Sequence, residues 1–102
     1  MNSEQEKVAE FIEKHEMDAT TAFRLIDVFA ELGEIASEAA KSADYGLEEE
    51  SIEISEDEFG DALFSLLSLA EAADIDAEKA LEGSLEKYRS RISEKGDPGS
   101  GE

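Results

Sequence analysis

Glu31-Leu32-Gly33-Glu34 and Glu58-Phe59-Gly60-Asp61 repeat one order of residue types: acid, apolar, glycine, acid. Each quartet lies in a segment of helical periodicity, where side chains three residues apart project within about 60° of each other. Each therefore presents two carboxylates on one face while its apolar residue points towards a core. A glycine inside a helix costs roughly 1 kcal/mol relative to alanine, and close approach of two helix backbones is the reason we favour for it. Four carboxylates brought together in this way predict a hard divalent cation among them.

Apolar periodicity and capping residues predict an all-α fold, a bundle of about four helices. The predicted helices cover residues 3–16, 18–43, 55–73 and 77–92, with N-caps at Asp18, Ser55 and Asp76. The side chains expected in the core are Leu25, Phe29, Leu32, Ala36, Ala39, Phe59, Leu63, Leu66, Leu67, Ala70, Ala80, Leu81, Leu85, Tyr88 and Ile92. We divide the chain into a short N-terminal helix (1–17), a helical domain (18–92) and a tail without apolar residues (93–102), which we expect to be disordered.

The chain is strongly acidic, with 28 Asp and Glu against 9 Lys and Arg in 102 residues and a net charge of −19. Such an excess is typical of proteins adapted to high salt, and we expect a halophilic, archaeal source. A nucleic-acid partner is excluded because a phosphate backbone requires basic residues. The sequence contains no signal peptide and no apolar run that could span a bilayer, so we expect a cytoplasmic protein without a membrane partner.

The sequence lacks the residues that other common catalytic sites require. The chain has no cysteine and one histidine, which argues against zinc and nucleophilic triads, and it has no glycine-rich phosphate loop. Acid pairs three residues apart also recur elsewhere, for example at Glu10 and Glu13 and at Glu71 and Asp74. The spacing alone therefore favours solvated faces of a salt-adapted bundle. The glycine inside each quartet and the apolar opposite side of each helix make a metal site an equal alternative. If a site exists, it is an all-carboxylate site for Mg²⁺ or Mn²⁺.

The chain from about residue 20 to residue 92 resembles the MazG-like nucleotide pyrophosphohydrolases, an all-α group of nucleoside triphosphate pyrophosphatases. The resemblance lies in Glu31-x-x-Glu34, a gap of 23 residues, Glu58-x-x-Asp61, and the apolar helix that follows. It extends to Ala-Asp-Ile-Asp-Ala-Glu-Lys-Ala-Leu at 73–81 and to Lys-Tyr-Arg at 87–89. It implies hydrolysis of a nucleoside triphosphate between the α and β phosphates, giving a monophosphate and pyrophosphate.

The resemblance also implies roles for individual residues. Mg²⁺ would be held by a set of carboxylates, and phosphates would be contacted from the last helix. The implied metal-binding and catalytic residues are Glu31, Glu34, Glu58 and Asp61, with Glu38 assisting the metal, and the implied phosphate ligands are Lys87 and Arg91. The family's catalytic unit is a helical-bundle dimer, which implies a homodimer or a dimer of dimers.

Two other interpretations stay open. Phosphoribosyl-ATP pyrophosphatase shares the size and fold class, but its Ser-Tyr-Thr segment near the N-terminus and its doubled Glu-Glu in the second helix are not found here. Alternatively, the chain is a non-catalytic helical dimer that acts as an interaction module, with its acids forming a salt-tolerant surface. An assay of phosphoribosyl-ATP beside common triphosphates, and metal binding by acid-to-amide variants, separate these alternatives.

Overall fold

The computed structural model of the chain describes residues 3–47 and 52–99, and all the regular secondary structure within them is helical. Four α-helices and one 3₁₀ turn occupy these ranges: α1 (Ser3–Lys14), α2 (Thr21–Ser42), the 3₁₀ turn (Asp44–Gly46), α3 (Glu56–Ala72) and α4 (Ala77–Lys95). The predicted all-α class is confirmed. None of these helices has the length and apolar character needed to cross a bilayer. Residues 1–2 and 100–102, the outer ends of the predicted N-terminal segment and tail, lie outside the described residues.

Helix starts follow local capping chemistry, and two of the three predicted N-caps are confirmed. Ser55 Oγ accepts the Glu58 N–H at 3.2 Å, and Asp76 Oδ1 accepts two N–H groups at the start of α4. The prediction of Asp18 as the cap of α2 is wrong. Thr20 caps this helix, and its hydroxyl accepts the Phe23 N–H at 3.1 Å, as an N-cap threonine does for the N–H three residues later.

The end of α4 also differs from the prediction. The helix continues three residues past Ile92, to Lys95, and ends at Gly96 with φ of 83°. Glycine adopts this left-handed conformation without a steric penalty and so terminates helices efficiently. The first three residues of the segment expected to be disordered are therefore helical.

Helices α2 and α3 lie side by side and run antiparallel. Thr21 Oγ1, at the start of α2, donates to the Ala72 carbonyl at the end of α3, at 3.0 Å. Six residues further along α2, Asp27 Oδ2 accepts the Ser65 hydroxyl at 2.9 Å. These two contacts fix the register, so the next turns of α2 face the N-terminal half of α3.

Helix α1 packs on the C-terminal half of α3. Val8 and Ile12 are buried against Leu67, with Phe64 and Ala77 packed around them. This small cluster is the apolar core of the described residues, and it docks α1 on α3.

Most side chains predicted to form the core are exposed instead. Leu67 and Ala70 are buried, but the large apolar residues of α2 and α4 remain accessible, as do several of α3. The buried or half-buried positions of α2 are its other side, including Arg24, Asp27 and Glu31. The periodicity correctly identified an apolar face, but within one chain α2 packs on α3 through the opposite, more polar side.

The two quartet glycines do not mark a close helix contact within the chain. A methyl group at Gly33 or Gly60 would meet no atom within 4 Å. The predicted close approach of two helix backbones at these positions is therefore wrong for a single chain, because the surface beside each glycine is open.

Candidate metal centre

The register of α2 against α3 brings three of the predicted carboxylates together. Glu31 lies one turn beyond Asp27 on α2, and Asp61 and Glu58 lie one and two turns before Ser65 on α3. One carboxylate oxygen of each of Glu31, Glu58 and Asp61 lies within 4.8 Å of the others. We call these three residues the acid cluster.

The Glu58 carboxylate belongs to the acid cluster even though the residue also takes part in a helix cap. In a capping box, the glutamate three residues after the cap returns its side chain to the N–H of the capping residue. Here the Glu58 backbone N–H donates to Ser55 Oγ, but the Glu58 carboxylate lies beside Glu31 and Asp61. The side chain is thus available as a ligand.

The acid cluster is electrostatically unfavourable as it stands. Glu31 and Glu58 are half-buried and Asp61 is exposed. Partial burial raises the pKa of Glu31 above its ordinary value of 4.5, and the charges of Asp61, Asp27 and Glu34 raise it further. The pKa of Glu58 is raised in the same way, first by burial and then by Glu34 and Asp61.

Among the described residues, no basic side chain neutralises these carboxylates. Within residues 3–47 and 52–99 none of the three forms an ion pair, and the nearest pairing on α2 joins Lys41 to Glu38 at 3.7 Å. Converging carboxylates without a counter-charge are an arrangement that a divalent cation stabilises.

Glu34 and Glu38 lie beside the acid cluster without belonging to it. Both are exposed, and both act on Glu58 through their charge, raising its pKa. Glu38 and Glu58 also line an open cleft of about 790 Å³, together with Ser42, Glu53, Ile54 and Ser55. Glu38 therefore lies at the rim of this cleft, and Glu34 lies close enough to Glu58 to act on it through its charge.

Lys87 and Arg91 do not face the acid cluster in the same chain. Helix α4 makes only marginal contacts with α2 and α3, and both cations stack near Tyr88, at 5.3 Å and 5.7 Å from its ring centre. Arg91 also donates to the Pro98 carbonyl at 3.3 Å. The predicted grouping of acids with basic residues is therefore not formed within one chain.

Asp27 is the neighbour that sequence reasoning left out of the site. It lies on α2 one turn before Glu31, and it raises the pKa of Glu31 through its negative charge. Its hydrogen bond from Ser65, a residue on the same face of α3 as Glu58 and Asp61, orients its carboxylate. The i, i+4 spacing of Asp27 and Glu31 was the available signal.

Comparison of the chain with protein-family models, with curated proteins and with solved structures gave no match. The likeness to the MazG-like enzymes therefore remains a resemblance of residues and spacing.

Proposed function

We propose that this protein is a Mg²⁺-dependent nucleoside triphosphate pyrophosphohydrolase. It would add water across the bond between the α and β phosphates, releasing a nucleoside monophosphate and pyrophosphate. The observation that carries the proposal is the acid cluster: three carboxylates from two antiparallel helices, without a basic partner among the described residues. The motif order from Glu31 to Asp61 supports the same reaction by resemblance.

The acid cluster suits a small, hard cation. Oxygen ligands of octahedral Mg²⁺, at about 2.1 Å from the metal, lie roughly 3 to 4.2 Å apart. The oxygens of Glu31, Glu58 and Asp61 lie within 4.8 Å of one another, so small side-chain rotations bring them to that spacing. Mn²⁺ has similar ligand preferences and is the expected substitute.

Each acid has a part in this proposal. Glu31, Glu58 and Asp61 bind the cation, and Glu34 and Glu38 complete its surroundings. When bound, Mg²⁺ supplies Lewis-acid stabilisation of phosphate charge and lowers the pKa of a bound water. The exposed Glu34 carboxylate would accept the proton that the attacking water gives up.

The cleft beside Glu58 is the proposed entrance for the nucleotide. Its volume of about 790 Å³ falls within the range of roughly 300–1,000 Å³ that is usual for ligand pockets. Acidic side chains line it, so a triphosphate enters as its metal complex. Lys87 and Arg91 remain the proposed phosphate ligands, and since α4 stands apart from the acid cluster, they would come from a second copy in a homodimer or a dimer of dimers.

The test is pyrophosphate release from a panel of ribo- and deoxyribonucleoside triphosphates and phosphoribosyl-ATP, in high salt, with and without Mg²⁺. We expect metal-dependent release of pyrophosphate with a monophosphate product, and Asp61→Asn should lower it at least 100-fold. Asp74→Asn is the matched control, since it removes one acidic charge at an exposed position outside the acid cluster. Release from phosphoribosyl-ATP alone would identify the protein as a phosphoribosyl-ATP pyrophosphatase.

The proposal fails if no member of the panel is hydrolysed and Mn²⁺ binds Asp61→Asn as tightly as the parent protein. That result favours the interaction module. It requires that both proteins be folded, which circular dichroism establishes.

A further inference from the structure

Helix α4 has an apolar stripe that the described residues of its own chain leave uncovered. No described residue of this helix is buried, and the stripe follows helical spacing over nearly three turns. Its members are 38–59% exposed: Leu81, Leu85, Tyr88 and Ile92. The radius of gyration of the chain is 16.9 Å, whereas a compact domain of this length has about 13 Å. Helix α4 therefore stands away from the rest of the fold.

The direction in which α4 leaves the fold is fixed by hydrogen bonds. The Gln5 side chain, 1% exposed, donates to the Ile75 carbonyl at 2.8 Å and accepts the Ala77 N–H at 2.7 Å. It also donates to Glu71 at 2.6 Å, and Ala77 packs on the apolar core. Because both sides of the α3–α4 junction are held, α4 does not swing back onto its own α3 without breaking these contacts.

A second uncovered apolar surface lies on the α2–α3 pair. Its members are 41–69% exposed: Leu25, Ile26, Phe29, Leu32, Phe59, Leu63 and Leu66. Around the axis of each helix, these side chains point about 140° away from the direction of the α2–α3 contact. The rotation, counted from the N-terminus to the C-terminus, has the same sense in both helices. Since the two helices are antiparallel, equal rotations place both groups on one side of the pair. We call this side the apolar face.

The exposed area matches what a stable dimer needs. Eleven large apolar side chains, each about half exposed, offer roughly 900 Å² on one chain, compared with about 800 Å² per partner in a standard interface and 300–600 Å² for the largest patch of a typical monomer. Gly33 adjoins the apolar face and has no atom within 4 Å of its missing Cβ, which leaves room for a close neighbour.

The charges of the helices are complementary between copies. Helix α4 has five basic and four acidic residues, while α3 has five acidic residues and no basic one. Five of the nine basic residues of the whole chain thus lie on α4. A second copy of this chain offers both an apolar stripe for the apolar face and basic residues for the acidic helices.

We propose that α4 is an exchanged arm, whose apolar stripe packs on the apolar face of a second copy, with the two chains exchanging arms reciprocally. The contact is the same on both subunits, so it closes at two chains. Each arm carries Arg91 and Lys95 beside its stripe and therefore places them along the acidic helices of the other copy. One consequence rests on the proposed hydrolase: the phosphate ligands of each acid cluster would belong to the other subunit.

Cross-linking between differently tagged chains tests the arm exchange, because the chain has no native cysteine. One chain carries Leu85→Cys on α4, the other carries Leu63→Cys on α3, and a short bis-maleimide is added after the two are co-expressed in high salt. The control replaces Leu85→Cys with Ser90→Cys, which lies about 140° away around the same helix. We expect a cross-linked pair of unlike chains with Leu85→Cys and at least tenfold less with Ser90→Cys.

Other occupants of the two surfaces give different results, each of which overturns the proposal. Light scattering that shows a monomer of the unmodified protein in high salt would mean that no second copy binds. Cross-links between two Leu85→Cys chains, without cross-links to Leu63→Cys, show that α4 pairs with α4. An intrachain cross-link in the doubly substituted protein shows that α4 folds onto its own α3. None of these measurements uses hydrolysis, so they are independent of the proposed reaction.

Discussion

The Ser65 hydroxyl donates a hydrogen bond of 2.9 Å to Asp27 Oδ2 inside the contact between α2 and α3. Ser65 is 3% exposed, so this bond is shielded from water. Asp27 in turn raises the pKa of Glu31 through its negative charge. The same bond therefore sets the helix register and holds one acid beside the acid cluster.

Replacing Ser65 with alanine removes this bond and leaves Asp27 without its donor. A buried hydrogen bond to a charged group contributes about 1.5–3 kcal/mol, so we expect the free energy of unfolding to fall by about 2 kcal/mol. Urea titration in high salt measures it. Ser90→Ala, at an exposed position of α4, is the control and should change stability by less than about 0.5 kcal/mol. Equal effects of the two changes would show that the Asp27 bond contributes nothing.

The pH dependence of stability should reflect the raised pKa values of Glu31 and Glu58. An acid whose pKa is higher in the folded state binds protons more tightly there, so its ionisation destabilises the fold. We therefore expect the metal-free protein to gain stability as pH falls from 7 towards the ordinary value of 4.5 and to lose it as pH rises through the folded pKa values. Thermal unfolding at a series of pH values in the presence of a chelator measures this.

Paired glutamine substitutions separate the effect of Glu31 and Glu58 from the general repulsion of an acidic chain. Glu31→Gln with Glu58→Gln should remove most of the gain on acidification, whereas Glu10→Gln with Glu13→Gln should retain it. Asp76 acts in the opposite direction: the Lys79 N–H lowers its pKa below 3.8, so its stabilisation is lost only at lower pH. A stability profile that the Glu31 and Glu58 changes leave unaltered would contradict the assignment.

Metal binding should depend on the acid cluster and not on total charge. Titration calorimetry with Mn²⁺ is expected to show at least tenfold weaker binding for Glu31→Gln and for Asp61→Asn than for the parent protein. Asp74→Asn removes the same charge elsewhere and should bind like the parent. Because protons and cations compete for the same oxygens, the affinity should also fall as pH is lowered. Equal losses in all three variants would indicate only diffuse attraction.

Gly60 should tolerate alanine and gain stability from it. A Cβ at this position meets no atom within 4 Å, and alanine is favoured over glycine inside a helix by about 0.8–1 kcal/mol. We expect Gly60→Ala to raise the melting temperature by roughly 4–8 °C, the shift that about 1 kcal/mol produces in a domain of this size. A lower melting temperature would show that another chain approaches the helix at this point.

The sequence predicted helix caps and apolar helix faces better than it predicted which surfaces bury those faces. Ser55 and Asp76 were identified as caps because a cap is decided by one side chain and the following turn. Asp18 was wrong because Thr20 offers equivalent chemistry two residues later. Leu25 and Phe29 were correctly placed on one face. Periodicity does not say which neighbour buries that face, and none of the residues that the structure describes does.

The acid cluster likewise combines a feature that the sequence predicted with one that depends on long-range contacts. Equal spacing in the two quartets predicted that acids of α2 and α3 meet, and Glu31, Glu58 and Asp61 do so. The register that selects Glu31 over Glu34 depends on the contacts of Thr21 and Ser65, which pair residues 51 and 38 positions apart. Contacts over such distances carry no local signal.

The Gln5 side chain has a consequence for the order of folding. Its bonds to Ile75 and Ala77 join residues 70 and 72 positions apart, the longest-range hydrogen bonds described in the molecule. Closing so long a loop is slow compared with pairing neighbouring helices. Refolding should therefore show a fast phase in which α2 pairs with α3, and a later phase in which Gln5 of α1 bonds to the α3–α4 junction. Only the association of chains that follows this later phase should have a rate that depends on protein concentration.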